Sequence, residues 1–124
     1  MVDDVKKFSR SLSHAFDGLS YALKRERNFQ IELVCGVFVL ALILIFKVKN
    51  WEAVVLIVMV AGVLIMELAN TVMERIVDML KPKVHPYARL IKDIMAAAVL
   101  ISSCVAALVG VIIFYPYMRE LLGL

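Results

Sequence analysis

Glu67, Asn70, Thr71, Glu74 and Asp78 are the side chains of this sequence best spaced to do chemistry together. At about 100° per residue, spacings of three, four and seven place them within an arc of roughly 100° on one helix face. That face carries three carboxylates and an amide. Carboxylates on one stripe repel each other, and the cost rises as the dielectric falls. Something cationic must offset them. A solvated helix end paired with Arg75, Lys81 or Lys83 is one answer, and it suits Asp78. It suits Glu67 and Asn70 poorly, because they directly follow the apolar run 53–66. Mg²⁺, which takes carboxylate oxygens together with phosphate and water, is the better counter-charge there.

Two further clusters flank this face. His85, Lys92 and Asp93 follow the next turn. His85 and Pro86 could simply open a helix, and Lys92 could snorkel to a membrane interface. Asp93 is too short to snorkel far, which makes the Lys92-Asp93 pair more telling than either residue alone. The segment Glu26-Arg27-Asn28-Phe29-Gln30-Ile31-Glu32 holds the other cluster. Glu26 could be an ordinary interfacial charge; it is also the obvious second carboxylate to share a metal with Glu74.

Several chemistries are excluded. The five glycines stand alone at 18, 36, 62, 110 and 123, so neither a Walker-type loop nor GxGxxG is present. Any phosphate must be held by metal, Lys and Arg. There is no HExxH, no four-ligand zinc set and no Ser-His-Asp spacing. Cys35 and Cys104 lie in apolar runs without CxxC spacing, and are expected to be buried small hydrophobes. Trp51, Tyr115 and Tyr117 suit an aromatic belt and are assigned no chemistry.

The elements that must position these groups are helices in a membrane. The chain has 124 residues, is 63% hydrophobic and has a mean hydropathy of +0.89. A soluble domain this small cannot bury so much apolar surface, and disorder requires the opposite composition. Residues 94–118 form a charge-free run of 25 residues, longer than the roughly 20 that cross a bilayer. Residues 33–46 and 53–66 are shorter runs, and each becomes a span only with polar neighbours: 29–32 for the first, the acidic face for the second. The first 28 residues are polar and lack the apolar block of a signal peptide. Within them Val5, Phe8, Leu12, Ala15, Leu19 and Ala22 form a helical stripe, which reads as a surface helix capped by Asp3 or Asp4. The expectation is a single all-α integral membrane domain: a surface helix at 4–27 and spans at 29–48, 51–80 and 86–119. The last begins at Pro86, after the break at residues 81–86.

Lys and Arg number six in the N-terminal arm, five around residues 75–92 and three at the opposite ends of the spans. The positive-inside rule then places the N-terminus and the turn before Pro86 in the cytoplasm, with the C-terminus outside. The net charge of +3 suits an anionic membrane surface or a phosphate-bearing ligand and gives no sign of nucleic acid.

The run Glu67-Leu-Ala-Asn70-Thr-Val-Met-Glu74-Arg-Ile-Val-Asp78, then His85-Pro86-x-Ala88, then Lys92-Asp93-Ile-Met-Ala96-Ala97-Ala98-Val99, resembles the prokaryotic diacylglycerol kinase family, which includes undecaprenol kinases. Its hallmark is ExxNTAIExxxD followed by KD-x-A-A-A-V; Val72 and Met73 replace the usual Ala and Ile. The resemblance covers almost the whole chain, including the Glu26-Arg-Asn-Phe29 junction, which looks more like the undecaprenol kinase branch. Glu32 stands where Gram-positive undecaprenol kinases often have His.

What the resemblance implies is transfer of the ATP γ-phosphoryl group to a membrane lipid hydroxyl at the cytoplasmic face of a bacterial inner membrane. The lipid would be undecaprenol, with diacylglycerol as the alternative. Glu67 matches the general base. Glu26 and Glu74 match the Mg²⁺ ligands, and with Asn70, His85, Lys92 and Asp93 they match the nucleotide site. The family is homotrimeric with shared sites, and Ala96, Ala97, Ala98 and Ser102 would permit close helix contact. A reading from another class is a non-catalytic small membrane protein or channel that uses the acidic stripe for cations.

Overall fold

The computed structural model describes residues 1–80 and 86–124; the expectations placed on Lys81, Lys83 and His85 lie outside these. Its described residues form four helices: α1 (Val2–Arg25), α2 (Arg27–Phe46), α3 (Asn50–Met79) and α4 (Pro86–Leu121). The last three are long and apolar enough to cross a membrane. The protein is therefore all-helical and multi-pass.

α1 forms on its amphipathic stripe, with Asp3 and Asp4 in the first turn and Lys24 and Arg25 in the last, the arrangement a helix dipole favours. The expected cap is corrected: Met1 occupies the N-cap position without a side-chain bond, and both aspartates fall inside the first turn. Ala22 is the one buried residue of α1. Phe8 and Leu12 of the stripe remain exposed, so its apolar contact must come from outside the chain.

A single residue separates α1 from α2. Glu26 is extended (φ −104°, ψ 104°), yet its N–H donates to the Ala22 carbonyl and its own carbonyl accepts from Gln30 N–H. The Gln30 side-chain amide donates to the Leu23 carbonyl at 2.8 Å, satisfying an acceptor that the last turn of α1 would otherwise leave to water. Phe29, 2% exposed, anchors the corner from the other side. The kink is thus braced on both flanks, and it aims Glu26.

α2 ends at Lys47 in the left-handed region (φ 49°, ψ 47°), where the Val48 N–H reaches back to Ile43, as in a Schellman cap. α3 is the central helix, packing most extensively against α4 and next against α2. Val48, Leu56, Ile113 and Phe114 make the core, with Phe46 tilted against Phe114 at 6.0 Å and Tyr117 at 6.2 Å. This core sits at the end of the bundle away from the acidic face. There the buried carboxylate of Glu52 accepts hydrogen bonds from Lys49 N–H and Tyr117 O–H. Trp51 and Tyr115 are exposed, as a belt requires, but Tyr117 turns inward to tie α4 to the start of α3.

Cys35 and Cys104 are free thiols on the exposed surface, which corrects the expectation that they are buried. Each lies in a membrane-length helix, so the apolar surroundings read from sequence are supplied by lipid or another chain, not by this one. Where α2 crosses α3, Gly36 is buried; a Cβ there would come within 2.7 Å of Val60 Cγ1. Only glycine permits that approach.

Candidate active site

The acidic face of α3 is graded in burial. Glu67, Asn70 and Thr71 are 3%, 7% and 7% exposed. Glu74 is half-buried, and Asp78 is exposed one turn later. The stripe thus runs from the bundle interior towards water. From Glu67 to Asp78 it spans roughly 16 Å at about 1.5 Å per residue.

Glu67 is enclosed by groups from α2 and α3. Its carboxylate interacts electrostatically with Glu74 and Glu26, and the side-chain amides of Asn28 and Asn70 reach it. Glu32, one turn along α2 from Asn28, interacts with the same carboxylate. Among the described residues, three acceptor atoms in this cluster are buried without a partner: Glu67 Oε2, Asn70 Oδ1 and Glu32 Oε2. Buried acceptors left unpaired cost free energy, about 1–3 kcal/mol each and more when charged. Such a cluster is built to receive a donor or a cation.

Among the described residues, two ion pairs hold the outer half. Arg75 Nη2 donates to Glu26 Oε1 at 2.6 Å, and its guanidinium carbon lies 5.6 Å from the centre of the Tyr21 ring. Lys92 Nζ donates to Asp78 Oδ1 at 2.7 Å across α4 and α3. The structure therefore brings Glu67, Asn70, Glu74 and Glu26 together and ties Lys92 to the far end of the same stripe. Asp93, the residue after Lys92, is exposed. Asn28 and Arg75 were given no role from sequence beyond junction residue and generic counter-charge; their part depends on the kink at Glu26, which no periodicity reveals.

The donor set fits a divalent cation. All three unpartnered atoms are acceptors, and carboxylates crowd them. Among the described residues no three His, Cys, Asp or Glu side chains converge on one point. An ion here would complete its shell from phosphate and water, as Mg²⁺ commonly does.

Beside this cluster a groove of about 600 Å³ runs between α2, α3 and α4. Glu32 stands at one end, Met118 and Tyr115 line the other, and Val39, Val60 and Ala106 form part of its apolar wall. A hydrocarbon chain lying in it would bring its polar end to Glu32 and Glu67.

The profile of the prokaryotic diacylglycerol kinases matches residues 13–114, which include every residue of this cluster. The chain belongs to the prokaryotic diacylglycerol kinase family. It is thereby a lipid kinase, and the reading as a non-catalytic membrane protein or channel falls away. The chain is 30% identical over 116 residues to the undecaprenol kinase of Bacillus subtilis (strain 168), covering 92% of this chain and 93% of that protein. It is 33% identical over 113 residues to the diacylglycerol kinase of a Synechocystis species, covering 90% of this chain. It spans only 65% of the length of that second relative.

Proposed function

We propose that this kinase transfers the γ-phosphoryl group of ATP to undecaprenol at the cytoplasmic face of the inner membrane. The observation that carries the reading is the buried Glu67 carboxylate, with one oxygen unpartnered, beside the end of an apolar groove. A general base for a lipid alcohol must be reachable from the hydrocarbon and able to accept a proton there. Glu67 neighbours Glu32, which lines that groove. Asn70 and Asn28 orient the Glu67 carboxylate through their side-chain amides. As the lipid oxygen attacks phosphorus, its proton passes to Glu67 and ADP leaves.

Glu26 and Glu74 would hold Mg²⁺, which supplies charge neutralisation at the transferring phosphate. Asn70, Lys92 and Asp93 complete the nucleotide site, with His85 added from the sequence pattern. Lys92 sits at the water end of the stripe on Asp78, where a cation can meet phosphates entering from the cytoplasm. Eleven Lys and Arg on the sides assigned to the cytoplasm against three opposite support this orientation.

Undecaprenol is favoured over diacylglycerol by the near full-length match to the undecaprenol kinase and by the Glu26-Arg-Asn-Phe29 junction. The enzyme is proposed to act as a homotrimer with shared sites. In the single chain only Ile113 and Phe114 of α4 are buried, so most of its apolar length awaits lipid or another copy. The purified protein given labelled ATP, Mg²⁺ and each lipid separately should phosphorylate undecaprenol faster. Diacylglycerol winning by tenfold would reverse the substrate assignment, and no labelled lipid from either would overturn the reaction itself.

A further inference from the structure

Arg75 is joined to the site by contacts from three elements. It projects from α3 next to Glu74, bonds the carboxylate of Glu26 at the α1–α2 kink, and lies against the ring of Tyr21 on α1. The Glu26 side chain is 17% exposed and that of Arg75 is 54% exposed. An ion pair with one partner half in water adds little to stability. Its consequence is geometric.

Glu26 itself lies outside both helices, the one extended residue between Arg25 and Arg27. The Arg75 guanidinium holds its carboxylate from α3. Its bond engages Oε1 and leaves the lone pairs of Oε2 for a cation. Arg75 is thus the cation bonded to Glu26, in a group where Glu26 and Glu74 both interact electrostatically with Glu67. We propose that Arg75 is a positioning residue, holding the Glu26 carboxylate across the kink against the acidic face of α3 so that Glu26 and Glu74 receive one divalent cation. Tyr21 is the platform that holds the guanidinium in plane. The inference rests on the reading of Glu26 and Glu74 as metal ligands.

Lysine would keep the charge but not the planar fork or the stacking on Tyr21. Arg75→Lys therefore separates orientation from electrostatics. The test is Mn²⁺ binding to the full-length protein in detergent, followed by electron paramagnetic resonance with a non-hydrolysable ATP analogue present. The Kd of Arg75→Lys should rise by about tenfold or more, the scale on which groups behind a metal ligand act. Tyr21→Leu, which leaves Arg75 and Glu26 intact, should raise it less but in the same direction. Thermal midpoint and oligomer size should stay near wild type in at least one of the two variants, as a purely structural role would not allow. Wild-type affinity in Arg75→Lys would overturn the assignment. A wild-type protein that binds no Mn²⁺ would remove the metal reading first, and the role of Arg75 with it.

Discussion

Glu67 is the residue on which the proposed chemistry turns, because it is a nearly fully buried carboxylate with an oxygen to spare. Glu67→Gln keeps the shape and removes the ability to take a proton. Its kcat should fall by about 10²–10⁴-fold, the range for loss of a general base, with little change in Mg·ATP affinity. Glu67→Asp should recover part of the rate, its carboxylate being set back by one methylene. Near-normal turnover in Glu67→Gln would remove it from the proton path, and lost ATP binding would move it to the metal. Glu26 and Glu74 make a separate prediction. If they share one ion, Glu26→Gln and Glu74→Gln should each abolish most turnover, and the double variant should be little worse than either single one, since residues acting as a unit are non-additive. Steady-state kinetics of the three proteins decides it; multiplicative losses would mean two separate jobs.

At the scale of elements, the helices are placed by a few contacts at their ends and crossings. Gly36 lets α2 approach α3, and a Cβ there would collide with Val60. Gly36→Ala should therefore push the two helices apart or distort them, costing about 1–3 kcal/mol as other overpacked sites do. A lowered thermal midpoint in detergent is the readout, with activity reduced because Asn28 and Glu32 ride on α2. At the other end Tyr117 donates to the buried carboxylate of Glu52. Tyr117→Phe should lower stability by about 1–3 kcal/mol, the cost of losing a donor to a buried charged acceptor. Its KM for Mg·ATP should not move, because Glu52 lies roughly 22 Å along α3 from Glu67.

For the molecule as a whole, the bundle is thin: three long apolar helices, with one core cluster at the end away from the acidic face. A few buried residues such as Phe29 and Val77 lie elsewhere. Little of each span is buried within the chain. A trimer would enclose surfaces that one chain leaves bare, and the half-buried Ala98 and Ser102 with exposed Ala96 and Ala97 leave α4 room for close contact. Native mass spectrometry of the detergent complex should show three times the 13.9 kDa chain. A fully active monomer would refute shared sites.

Much of this was legible from residue order. Periodicity marked the amphipathic first helix, apolar length marked the spans, and the spacing of Glu67, Asn70, Glu74 and Asp78 put them on one face, because an α-helix has a fixed angle per residue. Composition required a membrane, since so small a chain cannot hide so much apolar surface. What periodicity cannot carry is contact between helices. That Arg75 pairs with Glu26 and Lys92 with Asp78 depends on a one-residue kink and on how α4 lies against α3. The exposure of Cys35 and Cys104 was hidden for a related reason: an apolar run reads the same whether protein or lipid surrounds it, and only the packing of the helices distinguishes the two. Likewise Tyr117 looked like a belt residue until the fold placed it over Glu52. Local rules set which groups share a helix face; the tertiary structure alone decided which faces meet, because those contacts join residues far apart in the chain.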